Sequence, residues 1–154
     1  QCNFTLEVSK QSLDINTVIR NGHITDKARP IGVFYERLGS KPYAFLDLIG
    51  KIKRNARIVV SKRLPKTGNR IMPGNEKWAS FFDMRLKDIT NNEDINYIRN
   101  IIKKADKSPA MPGIHFRYSI DRGNGKLAQP QELQTEVIEV IKEFNPLLSY
   151  LEGK

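Results

Sequence analysis

The sequence predicts an α+β fold: a curved antiparallel or mixed sheet, or a partial barrel, flanked by two or three helices. Three observations carry this. The 154 residues, 39% hydrophobic and 28% charged, suit one domain around one core. Apolar residues alternate with polar ones in several short segments, the mark of strands with one buried face. Helical periodicity is confined to a few longer segments. The order strand, helix, strands, helix, strand, helix lacks the regular alternation of a doubly wound fold.

In residues 3–9, "NFTLEVS", Phe4, Leu6 and Val8 alternate with Asn3, Thr5 and Glu7, which predicts a strand. In "SLDINTVIRNG", Ile15, Val18 and Ile19 share a helical face. Ser12 or Asp14 can cap its start and Asn21-Gly22 its end, so a helix is expected. Two apolar runs around Gly39-Ser40-Lys41-Pro42 predict a hairpin with strands near 31–38 and 43–49. A helix over 42–53 is the rival, since Phe45, Leu46, Ile49 and Ile52 also fit a 3.6-residue period.

Residues 56–64 read as a strand with a basic outer face, and residues 65–75 as a loop rich in Pro and Gly. In "WASFFDMRLKDI", Trp78, Phe82, Met84 and Leu86 are expected in the core, with Phe81, Arg85 and Lys87 opposite. Thr90 and Glu93 have capping-box spacing ahead of a helix whose buried stripe is Ile95, Ile98 and Ile102. Its acids, Glu93 and Asp94, come first and its Lys103 and Lys104 last, as the helix dipole favours. After a loop at 108–113, Ile114, Phe116, Tyr118 and Ile120 mark the inner face of another strand. A turn at 122–126 leads to a last helix opened by Pro130, with Leu133, Val137, Ile141 and Phe144 inward and a break or kink at Pro146. No repeat or linker divides residues 1–154, which read as a single basic globular domain. Gln1 in place of Met suggests a processed chain or a domain cut from a larger protein.

The formal charge is +9, from 26 Lys and Arg against 17 Asp and Glu. Such a surplus favours polyanions without choosing among them. Cys2 is the only cysteine, so no intrachain disulfide forms and an intracellular, cytoplasmic setting is expected. A thiol near the terminus without a role is the plain reading of Cys2; pairing between chains or lipoprotein-type processing is the alternative. Asn3-Phe4-Thr5 matches a glycosylation sequon, a tripeptide common by chance. One Cys with His23 and His115 cannot assemble a zinc site of the usual ligand types, and no cofactor is expected. No apolar run reaches the roughly 18 residues of a membrane span, so no membrane partner is expected.

Catalytic patterns are sparse. No G-x-S-x-G turn is present, and "TGNR" and "RGNGK" lack P-loop spacing. A metal-dependent nuclease needs converging acids, and Asp83 and Asp88 have opposite parity on a straight strand. His115 could act as a general base with His23 or Asp121, although a surface histidine is the plainer reading. No catalytic residue is assigned.

One stretch leans toward function. Residues 50–70 carry Lys51, Lys53, Arg54, Arg57, Lys62, Arg63, Lys66 and Arg70 and no acid. With Arg85, Lys87, His115 and Arg117 on the outer faces of neighbouring strands, these predict a nucleic-acid-binding surface. Arginine suits phosphate, and interleaved aromatics suit stacked bases. DNA and RNA remain open. The alternatives are a protein-interaction or structural module, with the C-terminal helix docking other domains or subunits through Leu147, Leu148 and Tyr150, and a metal-dependent nuclease.

Overall fold

The structure, a computed structural model, describes residues 2–20, 30–65, 68, 76–106 and 112–152. In chain order these form β1 (Cys2–Val8), β2 (Ser12–Arg20), α1 (Pro30–Ser40), α2 (Pro42–Gly50), β3 (Arg57–Pro65), β4 (Glu76–Arg85), α3 (Asn92–Asp106), β5 (Pro112–Asp121) and α4 (Pro130–Glu152). Short 3-10 turns lie at Leu86–Asp88 and Gly125–Ala128. The strands make one open sheet in the order β1-β2-β5-β3-β4, and every neighbouring pair is antiparallel. The α+β expectation holds, with an antiparallel sheet that does not close. Among the described residues, no helix is long and apolar enough to cross a membrane.

One sheet face holds the core. Register places Ile15 beside Tyr118, Thr17 beside Phe116, and Ile58 and Val60 beside Phe116 and Ile114. The described helices bury their apolar stripes in the same cluster: Phe34 and Leu38 from α1, Phe45 and Ile49 from α2, Ile95, Ile98 and Ile102 from α3, and Phe144 and Leu147 from α4. At its centre Phe34, Phe45 and Phe116 meet at 5.7, 5.9 and 6.2 Å with steeply inclined rings. Such pairs add about 0.5–1.5 kcal/mol each beyond the area they bury.

The structure corrects several sequence expectations. Residues 12–20 form strand β2, not a helix. Ile15, Asn16, Thr17, Val18 and Ile19 are all buried, side chains of both faces alike, and β2 lies between two strands. Burial on both sides erases the alternation that reveals a strand, while β-branched side chains still suit the pleat. The expected hairpin at 31–49 is two helices, α1 and α2. Ile31, Phe34 and Leu38 form a helical stripe, and Pro30 and Pro42 each open a helix, where a missing N–H costs nothing. The rival helical reading of the second segment was the right one.

The capping box of α3 sits one residue later than expected. Asn91 Oδ1 accepts from the N–H of Glu93 and Asp94, while Asp94 reaches back to the N–H of Thr90 and Asn91. These bonds, that from Thr90 foremost, hold the Asp94 carboxyl below its ordinary pKa. Helix α4 runs through exposed Pro146 to Glu152 without ending there. Leu147 and Tyr150 are buried in the core and Leu148 is half-buried, so the face expected to dock a partner is already spent on the fold.

Strand β4 holds the last correction. Val60 pairs with Phe82, but Ser61 pairs with Ser80, leaving Phe81 with no opposite number. This bulge flips the alternation beyond it. Phe82 and Met84 pack against the core as expected, whereas Trp78 stands on the opposite face, beside Gly113 and His115.

Candidate functional site

The face turned away from the helices carries a line of arginines. Strand register sets Asn16 on β2 beside Arg117 on β5, Arg117 beside Arg57 on β3, and Arg57 beside Arg85 on β4. Strands in a sheet lie about 4.8 Å apart, so three cationic stems rise within roughly 10 Å. Like charges set opposite one another destabilise a sheet. Each arginine here has a separate acid: Asp14 at 3.6 Å from Arg117, Asp83 at 2.6 Å from Arg57, and Asp88 at 2.7 Å from Arg85. Arg117 also donates to Asn16 Oδ1 at 3.0 Å. The Arg57 and Arg85 side chains are 38% and 45% exposed. Ion pairs that wet contribute about 1 kcal/mol or less, so an incoming anion can compete for these guanidiniums.

Beside this row lies a tighter polar group. His115 is 2% exposed, between Val18 and Val59 in the register. Its Nε2 is 3.0 Å from the Ser61 hydroxyl, which also donates to the Gly113 carbonyl at 3.4 Å. Nδ1 is buried without a hydrogen-bond partner among the described residues, as is the Asn16 side-chain amide nitrogen. Burial first, then the charges of Arg117 and Arg20, lower the His115 pKa from 6.5 to about 4, so the ring is neutral at neutral pH. The Trp78 ring meets His115 edge-on at 5.8 Å, and the Arg20 guanidinium stands 4.9 Å from the Trp78 ring centre. A Cβ at Gly113 would come within 3.0 Å of the indole, so glycine permits this close approach. Trp78 remains 37% exposed.

Of the twelve residues singled out in the sequence, those that the structure describes do not all share one surface. Arg57, Arg85 and Arg117 form the row. His115 shares their face of the sheet, as expected, but is buried rather than exposed. Lys62 stands 5.1 Å from the Phe81 ring. Arg63 lies on β3 beside Trp78, its side chain outside the described residues. Lys66, Arg70 and most of the expected loop at 65–75 lie outside the described residues, as does His23. Lys87 is exposed on the 3-10 turn after β4. Lys51 is exposed and pairs with Asp47 at 2.6 Å.

Arg54 belongs elsewhere. It is held by Glu136, Glu139 and Glu143, spaced three and four residues apart along one side of α4. Glu143 also accepts the main-chain N–H of Lys53 and of Arg54. Burial opposes the Arg54 charge, but the hydrogen bonds it donates to Glu136 and Glu143 outweigh it and raise the pKa. This arginine clamps the connection between α2 and β3 onto α4. For Arg54 and Arg57, the local absence of acids therefore does not leave the charge uncompensated, because Glu136, Glu139, Glu143 and Asp83 come from distant parts of the chain.

Sequence reading missed Arg20, Trp78 and Asn16. The first and last lay in a segment read as a helix, and Trp78 was assigned to the core across an unseen bulge. Asp83 and Asp88 are tied to different arginines. Among the described residues, no group of three or more His, Cys, Asp or Glu side chains is placed to hold a metal ion. No family model, curated protein or solved structure matches the chain.

Proposed function

We propose that the protein binds single-stranded nucleic acid along the arginine row, with Trp78 offering its exposed part to a base. The observation that carries the reading is the direct apposition of Arg117, Arg57 and Arg85 on three adjacent strands, on the face opposite the helices. Guanidiniums at strand spacing suit successive phosphates, and arginine contacts them in a bidentate manner. A sheet face that pairs cations with an aromatic holds unpaired strands, because every base offers a ring face to stack on. The formal charge of +9 adds long-range attraction.

Trp78 is the only tryptophan in the chain, so its fluorescence reports on this face alone. Titration with oligo(dT) and oligo(U) quenches it, and the log–log salt slope is about −2 if three phosphates are neutralised on a single strand. Arg57→Ala reduces that slope by roughly 0.7. Unchanged fluorescence together with no salt-sensitive binding at low ionic strength overturns the reading. Mg²⁺-dependent cleavage lost in Asp83→Ala would replace it with the nuclease alternative.

A further inference from the structure

The sheet has two edges, and they are built differently. The outer strand β4 is bulged at Phe81 and carries Asp83 and Arg85. Bulges and charges are the usual means by which proteins keep an edge from pairing. The other edge, β1, is less protected: it has no bulge, and Glu7 is its single charge. Its seven residues pair with β2 in unbroken register from Cys2 to Val8, with no proline, lysine or arginine. Leu6 and Val8 are 57% and 85% exposed.

We infer that β1 is a self-association edge, at which a second copy of this chain adds its own β1 antiparallel across a two-fold axis through Thr5. Three features select a second copy. First, the segment is self-complementary about Thr5. Phe4 falls opposite the second copy's Leu6 and Cys2 opposite its Val8, apolar against apolar on the core side. Asn3 falls opposite Glu7 and Thr5 opposite Thr5, polar against polar on the other side. This is the register that pairs the whole strand, and no like charges oppose one another in it.

Second, the phase of the hydrogen bonds fits. The Ser9 N–H donates to the Ser12 carbonyl at 2.9 Å where the hairpin closes. Alternation along an antiparallel ladder then turns the N–H and C=O of Glu7, Thr5 and Asn3 toward β2 and those of Phe4 and Leu6 outward. Outward-facing residues meet outward-facing residues in the centred register. Third, charge permits it. In a chain of net charge +9, Cys2–Val8 has no cation and carries Glu7 alone, so this strand adds no cation–cation repulsion between two copies. The contact is isologous and closes as a dimer, continuing the sheet across the axis.

A site-specific cross-link tests this. At the centre, Thr5 meets Thr5 as a non-hydrogen-bonded pair with Cα atoms about 4.5 Å apart, within disulfide range. In a Cys2→Ser background, Thr5→Cys forms a covalent dimer under mild oxidation. In the same background Glu7→Cys does not, since it faces Asn3. Light scattering on the unmodified chain gives twice the monomer mass at high concentration, falling toward the monomer on dilution, and Leu6→Lys shifts that transition to at least tenfold higher concentration. A monomeric mass throughout, or a cross-link at position 7 and not at 5, overturns the inference. So does a dimer indifferent to Leu6→Lys.

Discussion

Arg54 and Arg57 stand three residues apart in the same acid-free stretch, yet the fold gives them opposite tasks. Arg54 lies before β3, where the chain crosses α4, and three glutamates from that helix enclose it. Arg57 begins β3 on the open face and meets one half-exposed aspartate. One arginine is spent on structure; the other keeps a guanidinium that an anion can reach. The difference teaches that local charge density is a poor guide to surface potential. What decides is which distant acids the topology delivers to each position.

The contrast is tested most severely by Arg54→Ala. The substitution removes the guanidinium that holds buried Glu136 together with Glu139 and Glu143, and breaking a largely buried pair costs roughly 3–5 kcal/mol. Urea denaturation should show a loss at the lower end of that range, because Glu139 is exposed, while oligonucleotide affinity of the folded protein stays unchanged. A loss below about 1 kcal/mol would return Arg54 to the class of surface arginines.

Acid tests the open side. His115 titrates near 6.5 when unfolded and near 4 when folded. As pH falls the unfolded chain takes up the proton first, so stability is full above pH 6.5 and is lost progressively toward pH 4. The shift corresponds to roughly 3 kcal/mol. His115→Gln flattens this part of the stability profile, and a profile unaltered by it would show that the ring is not held neutral. The smallest effect is expected from Asp83→Asn, which removes the acid beside Arg57. Stability changes by less than about 1 kcal/mol, while affinity for oligo(dT) rises and its salt dependence steepens. Weaker binding in that variant would count against the row as the contact surface.

Much of the fold could be read from residues alone. Strands β3, β4 and β5 and helices α3 and α4 each declared a period, and α3 declared its cap to within one residue. The failures share a cause: the informative signal was not local. β2 is buried on both sides, so Ile15, Val18 and Ile19 imitated a helical face. Gly39-Ser40-Lys41-Pro42 looked like a hairpin turn because a joint between two helices uses similar residues. The candidate site was less legible than the fold. Arg57, Arg85 and Arg117 were each singled out, but their alignment depends on strand order and register. Trp78 was placed on the wrong face because a single extra residue, Phe81, inverts the pattern beyond it.

The strand order β1-β2-β5-β3-β4 also constrains how the molecule is made. Two hairpins, β1–β2 and β3–β4, come early in the chain, and the strand that joins them, β5, begins only at Pro112. Until then β2 and β3 each present an inner edge with nothing to pair with, and the arginine row lacks its first member. During synthesis the nascent chain therefore carries two separate ribbons whose union is a late, long-range event, the kind of step that sets slow folding rates and exposes sticky edges. A ribosome paused ahead of β5 would hold out a form with two unpaired inner strand edges.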